Sequence, residues 1–274
     1  MTTSNLTSLK QLVRLVCYLL ILLTTLSLPI KAAEAIDDAL WGQVLKQHVD
    51  EKGFVNYDAL LADRTGFDQY IKQLQTTSPA SHPELFSTEA DQLAYYINAY
   101  NAMVFKGVID RGPEKESVWK GFVSGLNFFV RMDIKLGGKK TNLKKLEDKV
   151  VRAQFQDPRI HAALNCASVS CPRLIQQPYT AEQLNTQLET VMREFLSSDQ
   201  HIQLDNQAQT VHANKILKWY DSDFLAYEKT QGNTSGSKHS RLISYINRYR
   251  AEALAIPLNY KLSFLDYDKG INAQ

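Results

Sequence analysis

The sequence predicts an α+β fold, specifically a helix-rich single domain with a small antiparallel sheet. Apolar residues recur with the 3.6-residue helical period in several segments. Another segment alternates on either side of Asp205 and Asn206, as the two strands of a hairpin do. No internal repeat is visible, and no Pro/Gly/Ser-rich linker divides the chain. Helices outnumber strands in this pattern, which favours one mixed domain.

The first 35 residues have the pattern of an export signal. Lys10 and Arg14 precede an apolar run over residues 15–28, and the small residues Ala33 and Ala35 follow as a cleavage site. The run is shorter than the roughly 20 apolar residues that span a bilayer. We therefore expect a signal peptide over residues 1–35, one domain over residues 36–274 with no transmembrane span, and a periplasmic location. The alternative is an uncleaved N-terminal membrane anchor.

The helical period predicts six main helices, over residues 37–50, 58–74, 88–112, 142–155, 180–196 and 242–249. A short segment at residues 216–220 is left without an assigned structure. Thr88 is expected to cap the clearest of them, since an acidic first turn follows, and Gly112 to end it. Asp58 is a second expected N-cap. Thr180 and Gln183 have the spacing of a capping box.

Strands are predicted in three places. The aromatic run over residues 128–134 is interpreted as a strand that leads into a turn at Gly137 and Gly138. Residues 202–212 are interpreted as a hairpin, and residues 260–267 as a closing strand.

The charge balance argues against a nucleic-acid binder. The chain has 31 Lys and Arg against 29 Asp and Glu. Residues 1–35 contain three of the former and one of the latter, so 28 of each remain. Nucleic-acid-binding elements normally carry a basic excess. The one dense basic group is interpreted as a solvated loop and first helical turn whose charge is offset by Glu147 and Asp148; it consists of Lys139, Lys140, Lys144 and Lys145.

Residues 157–173 concentrate the side chains that could carry chemistry, including His161, Cys166 and Cys171. One hypothesis is a thiol-dependent hydrolase or acyltransferase that acts on an amide or thioester, with Cys166 as nucleophile and His161 as general base. The orienting amide would come from Asn98, Asn101 or Asn165. His161 and Cys166 meet only if the chain turns between them, because five residues separate them by about 140° on a helix and place them on opposite faces of a strand. His212 is the fallback base.

The second hypothesis is a non-catalytic exported binding or scaffold domain with a structural Cys166–Cys171 disulfide. An oxidising compartment favours pairing of neighbouring thiols. A straight strand would separate the two Cα atoms by roughly 16 Å, so the segment would have to be a tight loop. Asn98 and Asn101 would then brace their helix against a neighbouring loop.

Two further readings of the cysteines are weaker. A reversible redox pair more often has two residues between the cysteines, and a zinc site lacks the usual short-spaced pairs and a fourth ligand. Nothing resembles a phosphate loop or a dinucleotide fingerprint, so no cofactor and no metal are expected. A small-molecule, peptide or protein partner is left open.

Trp219, Tyr220 and Asp223 lie further along the chain. They are compatible with a groove beside the central stretch. An aromatic plug over the core, with Asp223 capping a turn, is the favoured interpretation.

Four stretches together resemble the domain of unknown function 547 family: residues 92–101, residues 157–172, Trp219 to Phe224, and Tyr267 with Asp268. Two differences from the family pattern are visible, Tyr95–Tyr96 in place of Phe-Trp and Lys269 in place of a Trp. The resemblance covers nearly the whole domain and implies an exported bacterial protein when a signal precedes it. It implies no established reaction.

Overall fold

A computed structural model describes residues 35–112, 116–119 and 126–274. Residues Ala35–Gln274 form one compact unit in which helix and strand are mixed. The predicted α+β fold is therefore confirmed. The predicted signal peptide lies outside the described residues, and its boundary stays a prediction.

Ten helical segments are described in this part of the chain: α1 Asp38–His48, α2 Tyr57–Ala62, α3 Thr65–Thr76, α4 Glu89–Arg111, α5 Leu126–Arg131, α6, α7 Leu184–Ser197, α8 Ile216–Trp219, α9 Asp221–Thr230 and α10 Lys238–Asn247. Segment α6 joins α-helical Leu143–Lys145, π-helical Leu146–Val151 and α-helical Arg152–Phe155. Short 3₁₀ turns occupy Pro83–Leu85, Pro158–Ala162 and Glu252–Leu254. None of the helices described is long and apolar enough to cross a membrane.

Helix α4 runs through the centre of the domain. Thr88 and Asp91 form a reciprocal capping box at its start, and Gly112 ends it at a positive φ of 94°. This is the predicted helix, and the predicted cap is confirmed. Its side chains from Leu93 to Val108 are buried with the exception of Lys106, so the helix packs on all sides rather than along one stripe.

Two predicted helix starts are wrong. Residues 58–74 form two helices, α2 and α3, and the side chain that caps α2 is that of Asn56 rather than Asp58. Helix α7 begins at Leu184 without a side-chain cap. Its predicted capping box is absent because the amide N–H of Thr180 donates to Oε1 of Gln187, which draws Thr180 out of the cap position.

The aromatic run at residues 128–134 is helical at its start, contrary to prediction. Phe128 and Phe129 are both buried, and their ring centroids lie 5.0 Å apart. Successive strand residues would point to opposite faces, whereas the short helix α5 buries both. Strand β1, Ile134–Leu136, then pairs antiparallel with β2, Lys139–Thr141, through the predicted turn at Gly137 and Gly138.

The second sheet contains β3 Ile202–Asp205, β4 Thr210–Ala213 and β5 Lys261–Phe264. Strands β3 and β4 form the predicted hairpin, with Ile202 opposite Ala213 and Asp205 opposite Thr210. Strand β5 pairs parallel with β4, so this small sheet is mixed rather than purely antiparallel.

The C-terminal residues after β5 cross the loop that contains Cys166 and Cys171, called the cysteine loop below. Ser168 and Ile271 form an antiparallel bridge, and the amide N–H of Val169 donates to the carbonyl of Gly270 at 2.9 Å. Asn272 is buried, and its amide N–H donates to the carbonyl of Ala167. The loop that carries both cysteines is therefore held by the end of the chain.

Candidate functional site

A cavity of about 130 Å³ lies between α4, α6, α8 and the cysteine loop. Half of its lining residues are Phe, Trp or Tyr, and polar groups from His161, Glu147 and Lys144 reach it. Its lining comprises Tyr100, Trp119, Phe129, Lys144, Glu147, His161, Leu164, Cys166, Ile216, Trp219, Tyr220 and Tyr267. His161 and Cys166 thus meet at one cavity, because a 3₁₀ turn and a loop separate them in the chain.

His161 is buried and bound on one side to a carboxylate. Its Nε2 lies 2.9 Å from Oδ2 of Asp223, and its ring stacks on Tyr220 with centroids 3.9 Å apart. Arg152 donates to both oxygens of Asp223, from Nε at 2.7 Å and from a terminal nitrogen at 2.9 Å. Burial opposes ionisation of Asp223, but hydrogen bonds from His161 and Arg152 outweigh it and hold the pKa of this carboxyl well below its usual range.

Asp223 is therefore a partner of His161, and the interpretation of its side chain as a simple turn cap is wrong. Asp223 lies in the first turn of α9, on the segment that also carries Trp219 and Tyr220. Both of those aromatic residues line the cavity. Trp219 remains 43% exposed, so it covers the cavity only in part.

Glu147 is buried in the cavity wall, contrary to the prediction of a solvated segment. It lies in the π-helical turn of α6, and Tyr100 donates its hydroxyl to Oε2 of Glu147 at 3.4 Å. Burial raises the pKa of Tyr220, and the nearby carboxylate of Glu147 raises it further. Two phenols thus face one carboxylate, whereas the neighbouring Asp148 points to Lys144 at 2.6 Å.

Cys166 and Cys171 form a disulfide with Cα atoms 6.4 Å apart, within the usual range of about 4.4–6.8 Å. The intervening segment is a tight loop, in which the N–H of Cys171 donates to the carbonyl of Ser168 at 2.9 Å. The hydroxyl of Tyr267 lies 3.2 Å from the sulfur of Cys166 and 3.3 Å from that of Cys171. In this oxidised form Cys166 has no thiolate, so the nucleophile hypothesis applies to the reduced protein alone.

The three asparagines of the first hypothesis bind backbone groups. Asn98 donates to the carbonyl of Tyr179 at 2.8 Å and accepts from its N–H at 2.9 Å. Asn101 donates to the carbonyl of Ala163 at 3.0 Å and accepts from the N–H of Asn165 at 2.9 Å.

Asn165 makes the same kind of contact inside the cysteine loop. It donates to the carbonyl of Pro172 at 3.1 Å and accepts from the N–H of Ala167 at 2.9 Å. Ala167 has a left-handed φ of 56°, which is uncommon for a residue with a Cβ. The three amides fix loops in place, whereas the group that orients His161 is Asp223.

A wider polar groove of about 530 Å³ lies on the other side of the disulfide. Cys171, Arg173 and His201 line it, together with Glu194, which is paired with Arg173 at 2.8 Å. Burial lowers the pKa of His201 to about 4, so its imidazole is neutral near pH 7. The disulfide therefore separates an aromatic cavity at Cys166 from a polar groove at Cys171.

The predicted fallback base, His212, lies in β4 opposite Gln203. Among the described residues, no group of three or more His, Cys, Asp and Glu side chains could hold a metal ion.

A comparison with known protein families gave a match for the central part of the chain. The model of the family described as protein of unknown function, DUF547, matches residues 84–196. This match supports a relationship to the DUF547 family for residues 84–196. The match contains α4 and the cysteine loop, whereas Asp223 and Tyr267 lie beyond its end. A search of curated proteins and a search of solved structures found no match.

The contacts of three residues in this site were not predicted from the sequence. These residues are Glu147, Arg152 and Asp223. Glu147 and Asp148 are adjacent acidic residues in the π-helical turn, where Glu147 lines the cavity and Asp148 pairs with Lys144. Such turns often mark functional sites, but no simple pattern in the sequence announces them. For Asp223, the nearby Trp219 and Tyr220 were the available signal.

Proposed function

We propose that this DUF547-family chain is an exported small-molecule-binding domain with a structural Cys166–Cys171 disulfide. The supporting observation is the aromatic cavity, which gathers a buried carboxylate and an imidazole at one place. Ligand sites typically combine apolar walls with a few convergent polar groups. A cavity of about 150 Å³ accepts benzene, so about 130 Å³ suits a small ligand or the head group of a larger one.

The disulfide supports the binding proposal because it fixes part of the cavity wall. Cys166 contributes to the cavity, and its sulfur is tied to Cys171 and close to Tyr267. The backbone N–H groups of Cys166 and Ser168 lie 3.2 and 3.4 Å from the sulfur of Cys171. These two contacts hold the loop in shape, and the contact with Tyr267 links it to the C-terminal segment.

Binding is tested with benzene as a neutral probe and tryptophan emission as the signal. Trp119 and Trp219 line the cavity, whereas Trp41 is buried in the core. We expect saturable binding of benzene to the disulfide-bonded protein, and loss of binding in Leu164→Phe, which fills the cavity. Leu258→Phe, at a position 51% exposed, is the matched control. Equal binding by parent and Leu164→Phe would contradict the proposal.

The disulfide is tested by counting thiols in protein taken from its native compartment. Alkylation followed by intact mass should find two protected sulfurs that become reactive only after reduction. Two free thiols in the native protein would remove the structural role of the disulfide.

Export is tested on the same material. Cleavage after Ala35 would give a mature chain that starts at Ile36, which the intact mass identifies. Retention of residues 1–35 in a membrane fraction would instead support the N-terminal anchor.

A second candidate function is a thiol-dependent hydrolase or acyltransferase that works after reduction of the disulfide. The observation in its favour is that His161, held by Asp223 at 2.9 Å, lines the same cavity as Cys166. A nucleophile, a base and a group that orients the base form the general pattern of nucleophilic catalysis. His161 would take the proton of Cys166 as its sulfur attacks the acyl carbon, and Asp223 would stabilise the imidazolium. The C–N or C–S bond of the substrate would then break, with the imidazolium returning the proton to the leaving amine or thiolate. Water or an acceptor would attack the resulting thioester and release Cys166 as a thiol.

This second function predicts an acidic Cys166 thiol. In Cys171→Ser, Cys166 is the one cysteine of the domain, since Cys17 lies in the predicted signal. The alkylation rate with iodoacetamide should rise with a midpoint well below the ordinary thiol pKa of about 8.5. Adding His161→Gln should move the midpoint upward. Ordinary midpoints in both variants would exclude an activated nucleophile.

A further inference from the structure

The carboxylate of Glu147 has an unusual environment for a buried acid. Its residue is 7% exposed, and it lines the aromatic cavity. A hydroxyl from Tyr100 reaches it at 3.4 Å, and Tyr220 lies close enough for the charge of Glu147 to raise the pKa of that phenol. No cationic side chain among the described residues lies within ion-pair distance of it. Burial of a carboxylate without an opposite charge is costly.

Two cations of α6 beside the cavity are paired with other acids. Lys144 lies 2.6 Å from Asp148, and Arg152 lies 2.8 Å from Asp148 and 2.7 Å from Asp223. These two bases and two acids balance each other. Within the part of the chain that the structure describes, Glu147 is the acid of α6 beside this cavity that has no basic partner.

Aromatic rings surround the same space. The ring centroid of Trp219 lies 4.7 Å from that of Tyr267 and 6.2 Å from that of Trp119, and Phe129 lies 5.1 Å from Trp119. Faces of Trp and Tyr rings attract cations, and recognition of methylated ammonium groups by aromatic cages uses this attraction. One of these rings already holds an ammonium group, since Nζ of Lys269 lies 5.1 Å from the centroid of Trp119.

We propose that the cavity binds a methylated ammonium head group, with Glu147 as the counter-charge and the rings of Trp119, Trp219 and Tyr267 as the cage. The proposal rests on the binding function above and specifies its ligand class. The carboxylate supplies the opposite charge, and the rings supply an apolar surface that suits N-methyl groups. The volume of about 130 Å³ limits the bound part to a head group of this size.

The test compares choline with its neutral isostere, 3,3-dimethylbutan-1-ol, on the disulfide-bonded domain. Calorimetry and tryptophan emission should both show choline binding at least about tenfold more tightly, since a desolvated cation–π contact with a counter-charge is worth that much. Glu147→Gln should remove this preference, so that choline and the isostere bind with similar affinity. Glu84→Gln, at an exposed position, is the matched control and should behave like the parent.

A second variant keeps the test valid if Glu147→Gln fails to fold. Trp219 is 43% exposed, so Trp219→Leu removes one ring of the cage at little cost to the core. We expect it to weaken choline binding by about tenfold.

Each outcome separates the ligand class from the binding function. Equal affinity for choline and the isostere would overturn the cationic ligand but leave the cavity a binding site. Benzene binding without choline binding would have the same meaning. Failure of choline, the isostere and benzene together would overturn both proposals.

Discussion

Removal of the Cys166–Cys171 disulfide should destabilise the domain by a modest and calculable amount. The perturbation is the double variant Cys166→Ala with Cys171→Ala. A disulfide acts mainly by restricting the unfolded chain, and its effect grows with the length of the loop that it closes. Here the two cysteines are five positions apart, which is a short loop. The chain-entropy relation gives about 2 kcal/mol at 25 °C for this length.

Urea unfolding followed by far-UV circular dichroism measures the change. With a slope of about 2–3 kcal/mol per molar urea, a loss of about 2 kcal/mol lowers the midpoint by roughly 0.7–1 M. Reduction of the parent protein should lower the midpoint by a similar amount. The double variant provides the control, since reductant should leave its midpoint unchanged.

An unchanged midpoint in both the double variant and the reduced parent would refute this reasoning. It would mean that this segment of the unfolded chain is already restricted without the disulfide.

Three further predictions concern buried polar groups, each measured by urea unfolding. Asn101→Ala removes the hydrogen-bond partner of a buried carbonyl at Ala163 and of a buried N–H at Asn165. We expect the free energy of unfolding to fall by about 2–4 kcal/mol. A change below about 0.5 kcal/mol would contradict the bracing role of Asn101. Burial lowers the pKa of His201 from 6.5 to about 4, so the unfolded state takes up a proton on this side chain at a higher pH than the folded state does. The free energy of unfolding should therefore fall by about 3 kcal/mol as the pH drops from 6.5 to 4. His201→Gln should flatten this part of the plot of stability against pH, and an equally steep plot would exclude His201 as its source. Arg248 is paired with the fully buried Glu228, so Arg248→Met should cost about 3 kcal/mol. The control is Arg64→Met, which breaks partly exposed pairs with Asp68 and Asp110 and should cost under about 1 kcal/mol for each pair.

The sequence correctly predicted the elements in which a regular apolar repeat is combined with residues that mark the ends of the element. Helix α4 combines a long apolar pattern with the Thr88 cap and the Gly112 stop, and all three features occur in the structure. The hairpin of β3 and β4 has alternation on both sides of a polar turn, and it too is present. In both places the apolar repeat and the capping or turn residues predict the same element, so local preference and tertiary packing favour the same structure.

The errors arose where only one of these signals was available. Phe128 and Phe129 suggested a strand by residue type alone, but the core accepts both rings on one side and the chain is helical there. Thr180 and Gln183 had the spacing of a capping box, but the side chain of Gln187 competes for the same backbone group. Such competition depends on packing that a local pattern does not contain.

The position of the candidate site could be predicted from the sequence, but only some of the residues that form it could. The density of His, Cys and Asn between residues 157 and 173 correctly directed attention to the loop beside the cavity. The partners of that loop come from α6, from the start of α9 and from the C-terminal segment, which are distant in sequence. Their contribution depends on tertiary contacts, such as the 2.9 Å contact between His161 and Asp223 across 62 residues.

The buried asparagines explain how this cavity keeps its shape. A side-chain amide donates one hydrogen bond and accepts another, so one asparagine satisfies the N–H and the carbonyl of a loop without any regular secondary structure. Asn101 does so for the turn before Cys166, and Asn165 does so for the loop after it. Because unsatisfied buried backbone groups are costly, the two amides make an irregular loop stable inside the core. The disulfide adds a covalent restraint to this loop, and its predicted contribution to stability is modest because the loop that it closes in the unfolded chain is short.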